Sequence, residues 1–115
     1  MSEIETIQPD QFIANVKFDE HGLVPAIVQD ETDKAVLMLG YMNDTSLKLT
    51  LETGNVTFWS RSRQKLWTKG ETSGNFLEVR EIYTDCDRDT ILITAHAHGP
   101  TCHTNKRSCF SWLIK

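Results

Sequence analysis

The 115 residues contain no apolar run long enough to cross a bilayer and no repeat, linker or low-complexity stretch. The opening Met1-Ser2-Glu3-Ile4-Glu5 lacks the basic and apolar regions of a secretory leader, so the expectation is a cytoplasmic protein with no membrane partner. There are only three cysteines, an odd number, which argues against a disulfide framework in that compartment and towards metal binding or catalysis. They also lack the paired Cys-x-x-Cys spacing of a zinc finger or ribbon. Fifteen and then six residues separate Cys86, Cys102 and Cys109. The net charge of -4 speaks against a general nucleic-acid binder. Against these absences stand 39% hydrophobic residues, three Trp and five Phe, enough for one domain over residues 1–115 with a real core.

Pro9 to Ile13 can open a short helix with proline in its first turn. Leu23 to Asp30 and Ala35 to Tyr41 read as two strands joined by the polar turn Glu31-Thr32-Asp33-Lys34, with Pro25 keeping the first half of its strand at a sheet edge. Asn43 to Ser46 is rich in capping residues and Gly54 is placed to end a helix, which favours helix over strand for Leu47 to Thr53. Val56 to Ser60 and Lys65 to Thr68 flank a polar connection. Centred on Arg63, that hairpin would set Trp59 opposite Trp67 and Arg61 opposite Lys65. Gly70 to Asn75 is a loop, and Phe76 to Tyr83, Ile91 to Ala95 and Cys109 to Ile114 are further strands. The fold class expected is α+β: a small, mostly antiparallel β domain with one or two short helices.

Asp85-Cys86-Asp87-Arg88-Asp89 alternates three carboxylates with a cysteine and an arginine. In an extended strand the three aspartates would share one face, and Cys86 and Arg88 the other. Oxygen ligands alone suit a hard ion such as Mg2+, and thiolates a softer one such as Zn2+. The plain alternative is a solvated acidic turn; the glycine and terminal glutamate of an EF-hand loop are missing. Three thiolates would leave a zinc ion one open position for water, as in catalytic sites. A fourth ligand from His96, His98 or His103 would instead close the site, and the sequence leaves both open.

Thr53 to Gly70 contains no acid and carries Arg61, Arg63, Lys65 and Lys69 among Trp59 and Trp67. Such a stretch can hold phosphates while a base stacks on an indole, or it can be an edge hairpin kept soluble by its charges. Among the histidines, His21 reads as a turn residue, and His96 and His98 as strand residues. His103, beside Cys102, is the candidate for chemistry.

Several motifs together resemble one enzyme family. Gly40-Tyr41-Met42-Asn43, Thr57-Phe58-Trp59-Ser60-Arg61-Ser62-Arg63, Leu66 to Asn75, Asp85 to Asp89 and Gly99-Pro100-Thr101-Cys102-His103-Thr104 occur in the order found in phosphoribosyl-AMP cyclohydrolases, enzymes of histidine biosynthesis. The resemblance covers about Leu23 to Phe110, with Asn105 where a glycine often stands. It implies Zn2+ bound by Cys86 of one subunit and Cys102 and Cys109 of another, Mg2+ bound by Asp85, Asp87 and Asp89, and an interlocked homodimer with its active sites at the interface. No second catalytic domain is recognisable, so the single-activity form is expected. The implied reaction is hydrolysis of the N1–C6 bond of the adenine ring of phosphoribosyl-AMP. His103 is the expected acid or base, Arg61, Arg63 and Lys69 the phosphate-holding residues, and Trp59 the stacking partner. Two other classes are weighed beside it: a structural zinc domain whose basic hairpin binds RNA or protein, and an enzyme with a Cys102 nucleophile and His103 as its base.

Overall fold

The computed structural model describes residues 3–115. Its first helix, α1 (Pro9–Asn15), starts with proline at a position whose missing N–H costs no helix bond, and it buries Phe12. Strands β1 (Val24–Asp30) and β2 (Val36–Met42) form the expected antiparallel hairpin. Helix α2 (Asp44–Thr53) follows, with Asn43 and Ser46 capping reciprocally and Gly54 ending it at φ 77°. A short hairpin, β3 (Thr57–Ser60) and β4 (Lys65–Thr68), precedes two long strands, β5 (Leu77–Thr84) and β6 (Ile91–Ala97).

The four long strands make one sheet in the order β2-β1-β6-β5, antiparallel except for the parallel β1–β6 pair, and β3–β4 is a separate ribbon. Ala26, Val28, Ile91 and Ile93 point from one face of the sheet into the core. There they meet Phe12, Leu47, Val56 and Phe58 from the helices and the ribbon. Burying a side chain the size of Phe58 is worth about 1.5–3 kcal/mol. Gly40 makes room for it, since a β-carbon there would stand 2.6 Å from the Phe58 ring.

The first half of β1 lies at an edge as expected, since pairing with β6 begins only at Ala26 and leaves Val24 and Pro25 beside β2 alone. Three sequence expectations change. The ribbon pairs Phe58 with Trp67, Trp59 with Leu66 and Ser60 with Lys65, so Trp59 and Trp67 lie on opposite faces. The turn occupies Arg61 to Gln64, with Gln64 at φ 53°; moving its centre from the expected Arg63 by half a residue reverses which side chains share a face. Asp85 to Asp89 is not a strand but the turn between β5 and β6, with Arg88 at φ 63°. Cys109 to Ile114 forms no strand. It is a tail outside any helix or strand, and the amide of Cys109 donates to the Leu37 carbonyl.

Candidate active site

The β5–β6 turn is shaped by one of its own carboxylates. Asp85 Oδ1 accepts from the amides of Asp89 at 3.0 Å and Thr90 at 3.2 Å. The Arg88 amide donates to the Asp85 carbonyl, and the Arg88 carbonyl accepts from Lys17 at 2.7 Å, tying the turn to the chain leaving α1. Folding the run back on itself brings the three aspartates together by a different route from strand alternation. Carboxylate oxygens of Asp85, Asp87 and Asp89 lie within 4.8 Å of one another, all solvent-exposed. The neighbouring Asp87 carboxylate and partial burial hold the Asp89 pKa above its usual value. At Asp85 burial pushes upward, but the bonds it shares with Asp87 and the Asp89 amide outweigh it and leave its pKa lowered. An all-oxygen cluster of this kind fits a hard divalent cation.

The second group lies on the loop after β6. Cys102 and Cys109 come close enough for each thiol to sense the other. The Cys102 thiol lies 3.0 Å from the Thr104 hydroxyl, and that contact, with the Thr104 amide, draws its pKa down. Burial pushes the Cys109 thiol up, reinforced by Cys102. Two adjacent thiols, one of them acidified, fit a soft cation. Cys86 stays exposed in the acidic turn. The three aspartates are the one metal-like group of three or more ligands among the described residues, so the three cysteines do not meet within one chain. His103 is exposed and its ring has no hydrogen-bond partner among the described residues. The thiol beside it bonds Thr104, so no Cys102–His103 nucleophile–base pair is formed.

A cavity of about 520 Å³ opens between the ribbon and this loop, and Arg63, Lys65, Trp67, Lys69, His103 and Cys109 are among its lining residues. A second, of about 240 Å³, shares Trp67, Lys69 and His103 with it and reaches Cys102. Arg63 and Lys65 are exposed at the ribbon tip. Lys69 is only 8% exposed, has no ion pair among the described residues, and stands 5.9 Å from the Trp67 ring centre. Of the residues expected to hold substrate, Arg63 and Lys69 line the cavity. Arg61 instead lies over the Tyr41 ring at 3.9 Å, and Trp59 is not among the lining side chains. Lys65, Trp67, Thr72 and Thr101 do line it. The signal for Lys65 and Trp67 was their alternation with Lys69, which puts all three on one side of an extended segment.

Residues 38–111 match the family described as phosphoribosyl-AMP cyclohydrolase. The chain belongs to the phosphoribosyl-AMP cyclohydrolase family. Relatives bearing that name are similar over almost the whole chain. One from Micrococcus luteus is 55% identical over 103 residues, covering 90% of this chain and 82% of the relative. Another, from Chlorobium phaeobacteroides, is 52% identical over 115 residues, covering 100% and 83%. A histidine biosynthesis bifunctional protein from Caldanaerobacter subterraneus is 61% identical over 98 residues, or 85% of this chain, which spans about half of that longer relative (48%). The cyclohydrolase match takes in the acidic turn, all three cysteines and His103. No helix among the described residues is long and apolar enough to cross a membrane.

Proposed function

We propose that this chain catalyses hydrolytic opening of the adenine ring of 1-(5-phosphoribosyl)-AMP, between N1 and C6, in the histidine biosynthesis of the cytoplasm. The observation that carries the reading is the cavity itself. It joins cations suited to phosphates, an indole suited to a base, an imidazole and a thiol-bearing loop, in a chain of this enzyme family.

Cys102 and Cys109 of one copy, with Cys86 of a second, would hold Zn2+; Asp85, Asp87 and Asp89 would hold Mg2+. The two-copy arrangement is favoured because Cys86 stands apart from the other two cysteines in the single chain. Bound zinc would supply a water acidified to a pKa of about 7.

The chain's own residues do the rest. Arg63 and Lys65, exposed at the cavity mouth, would take the substrate's phosphates, as would Lys69 on the inner wall. Trp67 offers a ring face to the base. Alkylation at N1 leaves C6 electron-poor. As the water oxygen bonds to C6, one O–H proton must depart, and N1 must gain a proton when the C6–N1 bond breaks. His103, facing the same cavity, is placed to move that proton.

Cys102→Ala or Cys109→Ala should remove zinc and turnover together, measured as metal stoichiometry and ring opening on one preparation. A zinc-free variant with full turnover would defeat the zinc assignment. Asp87→Asn should raise the Mg2+ concentration needed for half-maximal rate and leave zinc content unchanged; an unchanged Mg2+ requirement would remove the acidic turn from the metal account.

A further inference from the structure

Glu71 is the one acidic side chain lining the cavity of about 520 Å³, where Arg63, Lys65 and Lys69 supply three cations. It is the first acid after Glu52 in the sequence. Backbone geometry brings it there. Lys65, Trp67 and Lys69 alternate along β4 and just beyond it, and the chain then turns at Gly70, φ 93°. A β-carbon at Gly70 would collide with the backbone of Asn75 and Phe76, so the turn is open to glycine alone. The Glu71 amide donates to the Thr68 carbonyl at 3.1 Å, and the Gly74 amide to the Gly70 carbonyl at 2.7 Å, which closes the loop carrying Glu71. Its carboxylate is exposed and makes no hydrogen bond or ion pair among the described residues. The side-chain cations of Arg63, Lys65 and Lys69 make no ion pair there either.

Unpaired charges of both signs around one cavity fit a ligand that itself carries both signs. Three cations suit the two phosphates of the substrate, but a carboxylate repels them and would only weaken a site built for phosphates alone. The ring supplies the positive part. Adenine alkylated at N1 is an amidine across N1, C6 and the exocyclic nitrogen, a far stronger base than adenine itself and protonated at neutral pH. The rings of AMP and ATP are neutral under the same conditions. We infer that Glu71 reads the positive charge of the N1-alkylated ring, its carboxylate accepting from the exocyclic amino group at C6, so that the cavity selects alkylated adenine over plain adenine nucleotides. The inference rests on the ring opening proposed above and names the residue that sets its specificity.

Trp67 lines the same cavity, and an indole face attracts a cationic ring more than a neutral one, so it favours the same choice. Glu71 acts on the ring before water adds. Addition at C6 ends the amidinium conjugation and disperses the charge that the carboxylate holds. Its contact therefore belongs to the bound substrate, and its loss shows in KM more than in kcat.

Calorimetric binding of two nucleotides, AMP and 1-methyl-AMP, tests this at pH 7 on the zinc-loaded wild type and on Glu71→Gln. The pair shares phosphate, ribose and base and differs in the ring's methyl group and charge. The variant swaps a carboxylate for an amide of equal size at an exposed position. The wild type should bind 1-methyl-AMP about tenfold or more tighter than AMP, the scale of a hydrogen bond to a charged group. Glu71→Gln should lose most of that preference while binding AMP at least as tightly, because a charge that repels phosphate has gone. Its KM for phosphoribosyl-AMP should rise several-fold, with a smaller change in kcat. A wild type that opens the ring yet binds both nucleotides alike overturns this role and leaves the proposed function standing. So does a Glu71→Gln that weakens both nucleotides equally, which would make Glu71 a support of the loop. A wild type that binds neither nucleotide and opens no ring overturns the proposed function as well.

Discussion

Arg107 grips Asp33 with both ends of its guanidinium, each contact 2.9 Å long, across seventy-four residues of sequence. The pair fastens the segment between Cys102 and Cys109 to the turn joining β1 and β2. Ser108 adds a 2.7 Å bond from its hydroxyl to the Val36 carbonyl. The bidentate pair, which is not part of the cavity lining, thus helps to place the two thiols, together with the Ser108 bond and the Cys109 amide on Leu37.

That pair predicts an acid limit. The Arg107 contact, helped by the Ala35 amide, holds the Asp33 carboxyl down at about 2, against an ordinary 3.8. Its contribution to stability is therefore complete above pH 3.8 and is lost as pH falls through about 2. Both side chains are more than half exposed, so the melting temperature of Arg107→Ala at pH 7 should change little. Looser placement of Cys102 and Cys109 should instead show as several-fold weaker zinc retention in a chelator competition. Unchanged retention would mean the loop is held by other contacts.

His103→Ala should lower kcat by about 10²–10⁴-fold, the usual range for loss of an acid–base group, with a much smaller change in KM. Steady-state kinetics on the variant checks this directly. An effect confined to KM would make His103 a binding residue.

Trp67 and Trp59 separate the two possible registers of the ribbon. Because Trp67 lines both cavities and Trp59 lines neither, Trp67→Ala should raise KM about tenfold or more, the scale of a lost stacking contact of about 1–3 kcal/mol. Trp59→Ala should leave KM near the wild-type value. The reverse ranking would place the base on the other face of the ribbon.

The misreading of that ribbon shows what sequence can and cannot fix. The capping of α2 by Asn43 and its stop at Gly54 were legible because local hydrogen bonds and a left-handed residue decide them. The β1–β2 hairpin was legible from two apolar runs around a polar turn. The register of β3 and β4 was not, because a four-residue turn and a three-residue turn fit the same polar stretch and place Trp59 differently. The acidic run shows the converse. Its residues were identified as one carboxylate cluster for a reason that fails, strand alternation. They do converge, because Asp85 caps its own turn through the amides of Asp89 and Thr90. Parallel pairing of β1 with β6 was out of reach of local pattern.

The central claim is that this chain opens the adenine ring with zinc held at its cysteines. The most direct measurement is absorbance-monitored ring opening of phosphoribosyl-AMP by the purified chain before zinc removal, after it, and after zinc is restored. The account predicts turnover that disappears with zinc and returns with it in proportion to the metal rebound. Full turnover by the zinc-free chain, or none by the zinc-loaded one, would contradict it.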